Sequence, residues 1–94
     1  MDEYRFEWDE AKAESNYQKH LVEFATARRA FYDPGALIRY DEFSSEYNED
    51  RFMLTGMAGG QLLTIIYTER AETVRLISAR KASRDEHDDY YRQS

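Results

Sequence analysis

Apolar positions are unevenly spread along this chain. Leu62, Leu63, Ile65, Ile66 and Tyr67 form a nearly unbroken run, the pattern of a strand covered on both faces. Residues 74–79 read the same way after a short polar break at residues 69–73, so the two runs predict a hairpin with 62–67 as the central strand. The break lacks the Asn-Gly or Asp-Gly pair that most often marks such a turn. Strict alternation along the second strand puts Arg75, Ile77, Ala79 and Lys81 on one face and Val74, Leu76, Ser78 and Arg80 on the other. A two-residue turn places Arg70 on the face of Arg75; a slip of one residue separates them.

Before this hairpin, Tyr4-Arg5-Phe6-Glu7-Trp8-Asp9 alternates aromatic and charged residues, as a half-buried strand does. Asp9 then caps a helix over residues 10–19, with Lys19 and His20 at its dipole-favoured end. Phe24, Ala27, Ala30 and Phe31 predict a second helix over residues 23–32 that packs its phenylalanines on the sheet and stops at Asp33-Pro34-Gly35. Residues 36–43 alternate as a strand, and residues 41–50 form an acidic, serine-containing connection. Residues 51–55 resume strand character, and residues 56–60, with three glycines, turn the chain into the central run. Ser83 followed by Glu86 is a capping box that starts a C-terminal helix. The order predicts one α+β domain over residues 1–94, with a largely antiparallel sheet, two N-terminal helices and a C-terminal helix.

Composition adds limits. Ninety-four residues support one core, and 15% aromatic residues can fill it. The absence of cysteine removes disulfides and thiolate chemistry, no run is long enough to span a membrane, and the acidic Met1-Asp2-Glu3 start is unlike a signal peptide, so a cytoplasmic protein is expected. The net charge of −6 opposes nucleic-acid binding until it is divided along the chain. Residues 1–50 carry −7, residues 51–84 carry +4 and residues 85–94 carry −3. A basic sheet between acidic flanks localises an anion site, unless its arginines are simply solvent-facing strand residues paired with nearby acids.

Several pieces resemble the BrnT toxins of bacterial type II toxin–antitoxin systems, which are related in fold to the RelE and ParE toxins. They are Phe6-x-Trp8-Asp9-x-x-Lys12, Asn16-x-x-Lys19-His20, Phe24-x-x-Ala27, Phe31-x-Asp33-Pro34 and Arg51-Phe52-x-x-x-Gly56. They continue with Tyr67-Thr68-x-Arg70, Arg75-x-Ile77-Ser78-Ala79-Arg80-x-Ala82, and Ser83-x-x-Glu86 with Tyr90. The chain departs from the pattern at Leu21, where the family often has glycine, and at Glu23, where a capping serine is common. The resemblance implies a RelE-like fold and a ribonuclease that cuts mRNA without a metal or other cofactor. It further implies a BrnA-like antitoxin partner, which alone contacts operator DNA.

Metal-free RNA cleavage needs cations to offset charge on the phosphoryl oxygens and a group to move the proton of the ribose hydroxyl. Arginine suits the first task because its planar fork donates paired hydrogen bonds and stays charged. Arg51, Arg70, Arg75 and Arg80 are the candidates. His20 has the natural pKa for proton transfer, with Tyr67 or Lys12 as alternatives. Lys12, Lys19 and Lys81 are candidates for holding the RNA backbone and Trp8 for stacking a base. Each has a structural reading too: Tyr67 and Trp8 as core residues, Lys12 and His20 as helix-end charges. Asp85, His87, Asp88 and Asp89 read as a solvated helix end rather than a cation site. Two rival functions remain: a non-catalytic domain whose basic sheet binds an acidic peptide, and an inhibitor of another target such as gyrase.

Overall fold

A computed structural model describes residues 4–45 and 49–93. In chain order these form β1 (Arg5–Glu7), α1 (Glu10–His20), α2 (Phe24–Ala27) running into a 3₁₀ helix (Arg28–Tyr32), β2 (Leu37–Tyr40), β3 (Phe52–Ala58), β4 (Gln61–Arg70), β5 (Thr73–Lys81) and α3 (Arg84–Arg92). The strands make one sheet in the order β1-β5-β4-β3-β2, so β4 is central. Neighbours from β2 to β5 are antiparallel, while β1 lies parallel to β5 at one edge.

Two expectations change. The second helix is one α-helical turn that tightens into 3₁₀ geometry. The strand expected over residues 36–43 keeps only Leu37–Tyr40, because Asp41 turns the chain: its carboxylate accepts from the Ser44 N–H and its carbonyl from the Ser45 hydroxyl. Of the connection expected over residues 41–50, residues 46–48 lie outside the described ones.

Both hairpin turns contain two residues at positive φ, as type I′ turns require. Gly59 and Gly60 join β3 to β4, whereas Ala71 and Glu72, at φ 49° and 69°, join β4 to β5 without a glycine. That second turn pairs Arg70 with Thr73 and Thr68 with Arg75. The register then shifts: Tyr67 pairs with Leu76 but Ile66 with Ser78, leaving Ile77 as an extra residue in β5. Alternation predicted from sequence therefore fails past Leu76. Arg75, Ser78 and Arg80 share one face of the sheet, and Val74, Leu76, Ala79 and Lys81 the other.

The second of these faces is covered by the helices. Phe24, Ala27, Ala30 and Phe31 pack there on Leu54, Leu63, Ile65, Tyr67, Val74, Leu76 and Ala79. Gly56 permits the close approach, since a Cβ at this position would lie 2.9 Å from the Ala30 carbonyl oxygen. Helix α1 buries a single residue, Asn16. Its side-chain amide donates to the Ala79 carbonyl at 2.9 Å and accepts from the Ala79 N–H at 3.1 Å, pairing with the β5 edge beyond the end of β1. The same amide group donates to the Val22 carbonyl at 3.1 Å and so fixes the α1–α2 turn. That turn passes through Leu21 at φ 59°, a left-handed conformation that a leucine side chain opposes.

Helix α3 lies against the opposite face of the sheet. The Glu86 carboxylate closes the capping box with Ser83 and also accepts from the Thr64 hydroxyl at 2.8 Å and from two nitrogens of Arg80 at 2.8 and 2.9 Å. Burial alone would raise the pKa of Glu86, but the bonds from Arg80, the Ser83 N–H and Thr64 outweigh it and bring the pKa down to about 2. Asp33 joins the helix to the sheet in the same way, accepting from the Gly35 N–H, the Met57 N–H and, at 2.5 Å, the Tyr90 hydroxyl. Burial opposes its ionisation, yet these three donors hold its pKa below the usual carboxylate value. Arg39 to Asp89 and Gln93 to the Gly35 carbonyl complete the attachment.

Two outcomes follow from these features. Leu21→Gly relieves the left-handed strain and should stabilise the protein by about 1 kcal/mol, a rise of roughly 4–8 °C in Tm for a domain of this size; an unchanged or lower Tm refutes the strain. Because the folded-state pKa of Glu86 lies below the unfolded value, its contribution is complete above about pH 4.5 and is lost as the pH falls toward about 2. Urea midpoints measured across that range should reveal a loss of roughly 2 kcal/mol at this half-open site, and Glu86→Gln should remove most of that dependence.

Candidate functional site

The face opposite α1 and α2 gathers arginines from four segments near the β4–β5 turn. Register places Arg5 beside Thr73 and Thr73 beside Arg70, a row across β1, β5 and β4. The next row runs from Glu7 to Arg75 to Thr68. The Thr68 hydroxyl donates to the Asp50 carbonyl at 2.8 Å, which brings Arg51, the residue before β3, alongside that row. Arg70 and Arg75 are diagonal cross-strand neighbours, about 7–8 Å apart at Cα. Arg51 and Arg75 flank Thr68 at two strand spacings, about 10 Å. Arg80 stands roughly 13 Å further along β5, toward α3. Between the two ends Met53, Ile66 and Ser78 are neighbours in register and half-buried, giving a partly apolar floor.

The cations differ in what already holds them. Arg80 is committed to the two-pronged pair with Glu86; that hydrogen-bonded pairing raises its pKa against a smaller opposing effect of burial. Arg75 reaches Glu7 at 3.0 Å with both side chains about half exposed, a pair of small net value that an incoming phosphate can displace. Arg51 Nε donates to Glu49 at 3.0 Å. Among the described residues, exposed Arg5 and Arg70 form no ion pair. The hairpin end of this face is thus a group of rigidly mounted guanidiniums, two of them without an ion pair among the described residues, with the carboxylates of Glu7 and Glu49 beside the other two.

The remaining candidates lie elsewhere. Tyr67 is buried on the helix-covered face between Phe31 and Phe52, with ring centroids 4.9 and 5.7 Å away. Burial, and then the charge of Glu69 and the proximity of Tyr4, push its hydroxyl up to about 12, far from a value suited to proton exchange near neutrality. Trp8 packs edge-on against Phe24 at 5.9 Å, on the same covered side. Lys12 lies in the first turn of α1 and Lys19 and His20 in its last, and Lys81 ends β5 on the helix-covered face. The structure therefore brings Arg51, Arg70 and Arg75 together with one another, sets Arg80 at the α3 end of the same face, and leaves His20, Tyr67, Lys12, Lys19, Trp8 and Lys81 away from them. Asp89, read as part of a solvated helix end, pairs with Arg39 and Arg92. Among the described residues no group of three or more His, Cys, Asp or Glu side chains is placed to hold a metal ion, and no helix is long and apolar enough to cross a membrane.

Arg5 and Glu7 escaped the sequence reading as site residues. The available signal was their place on the charged side of an alternating strand; the missing piece was the parallel pairing that carries this strand to β5, 68 residues further along.

A comparison with curated proteins gives no match. The family model described as the ribonuclease toxin, BrnT, of type II toxin–antitoxin systems matches residues 8–86, from the Trp8-Asp9 cap through the arginine-bearing hairpin to Glu86. A match over most of the chain, joined to an α+β fold that mounts its arginines on one face of a five-stranded sheet, shows that the chain belongs to the BrnT ribonuclease toxins of type II toxin–antitoxin systems.

Proposed function

We propose that the chain, with a RelE-like fold, acts in the cytoplasm as a metal-independent endonuclease of mRNA. In this reading it blocks translation and growth until a BrnA-like antitoxin, which alone contacts operator DNA, neutralises it. The observation that carries the nuclease reading is the shared face of Arg5, Arg70 and Arg75, flanked by Arg51. The ribose 2′-hydroxyl oxygen attacks the adjacent phosphorus, the bond to the 5′-oxygen breaks, and a 2′,3′-cyclic phosphate and a free 5′-hydroxyl result. Arg70 and Arg75 offset the charge that builds on the phosphoryl oxygens, and Arg5 and Arg51 hold the flanking backbone. Glu7, released from Arg75 as phosphate takes its place, accepts the 2′ proton, and the departing 5′-oxygen takes a proton from solvent water. Arg80 keeps α3 on the sheet through Glu86 and shapes the far wall. The alternative, a domain that binds an acidic peptide without cutting anything, is favoured by one observation: Arg75 and Arg80 are each already matched to a carboxylate.

Cleavage of a labelled RNA in chelator separates the readings. Arg70→Ala and Arg75→Ala should each lower kcat about a hundredfold or more while circular dichroism and Tm stay near those of the parent. Glu7→Gln should lower kcat with little change in KM. An inactive parent supports the peptide-binding reading, and folded arginine variants as active and as toxic as the parent refute the site.

A further inference from the structure

The helix-covered side carries a surface feature that the nuclease reading does not use. A groove of about 440 Å³ runs between α1 and α2, with Trp8, Tyr17 and Phe24 along it and Glu10, Glu14 and Glu23 at its rim. A second depression of about 260 Å³ adjoins it through Tyr17 and Glu23 and continues past Leu21 to Thr26 and Gln61. Among the described residues that line the two, none is a lysine, arginine or histidine. Three carboxylates without a lining cation repel RNA and attract a basic partner.

Residues at this groove also sit where folding alone disfavours them. Leu21 combines a left-handed backbone with 68% exposure of an apolar side chain, although glycine there would satisfy the turn at lower cost. Glu23 is the N-cap residue of α2 yet its side chain makes no capping hydrogen bond. Tyr17 is 40% exposed on a helix whose only buried residue is Asn16. Conflicts between local rules and observed residues gather where a surface is used for binding.

We propose that this groove holds the antitoxin through a segment that places lysine or arginine side chains around one apolar anchor. The anchor lies against Tyr17 and Leu21, and the cations meet Glu10, Glu14 and Glu23. This rests on the toxin–antitoxin reading above and adds the chemistry of the contact, which lies on the other side of the sheet from the arginines.

The test uses the full chain and, as candidate antitoxin, the full-length product of the gene adjacent to its own, with calorimetry at low and moderate salt. Glu14→Lys combined with Glu23→Lys should weaken binding at least tenfold and reduce its salt dependence, with RNA cleavage by the free toxin unchanged. Leu21→Gly should weaken binding several-fold while raising Tm, a pairing of effects that a purely structural residue cannot give. Parent-like affinity in both variants overturns the proposal and leaves the toxin–antitoxin pairing intact. No binding by the parent removes both. Loss of binding on Arg75→Glu alone moves the antitoxin to the arginine face and overturns the groove, as does a change in the toxin's own oligomeric state in place of a change in affinity.

Discussion

One extra residue in β5 governs the whole arrangement. A regular strand would have turned Arg75 and Arg80 to opposite faces; the bulge at Ile77 reverses the alternation and puts both on the face that the N-terminal helices leave open. The same shift turns Ala79 inward, where it is fully buried under α1. Core and arginine face are thus two results of a single irregularity, and neither can be moved by one residue without the other.

Just beyond the bulge, β5 has lost its β1 neighbour and exposes peptide groups that need partners. Asn16 supplies them from a helix, because its amide offers a donor and an acceptor in the geometry of a peptide bond. Asp33 and Glu86 do comparable work on the other side, each gathering three or more donors from separate segments. In a small domain without disulfides these satisfied groups, Asn16 buried and Asp33 and Glu86 half-buried, supplement a limited apolar core. They also leave Arg80 structurally engaged, so the free positive charge concentrates at the hairpin end.

Much of this is legible in the amino-acid sequence alone. The central strand, the Asp9 cap and the Ser83–Glu86 box all rest on local chemistry, and local chemistry is written in adjacent residues; the turn that sets Arg70 with Arg75 is one of two registers the residues allow. What escaped involves distant pairing. Nothing near Ile77 marks it as a bulge, since the cause is the register of β4 against β5. Arg5 reads as a solvated charge until β1 docks beside β5. Asn16 reads as one more polar residue on a weakly amphipathic helix, and only the turn through Leu21 brings it to the sheet edge. Tyr67 and Trp8 show the reverse: aromatic residues in alternating or apolar runs belong to the core by their pattern, and the core is where they are.

The parallel edge strand also constrains timing. Arg5 and Glu7 are separated from their partners, Thr73 and Arg75, by 68 residues. Pairings of such long sequence separation form late in folding. Until β1 docks beside β5 the chain carries only scattered charges, and the arginine face comes into being with that last pairing.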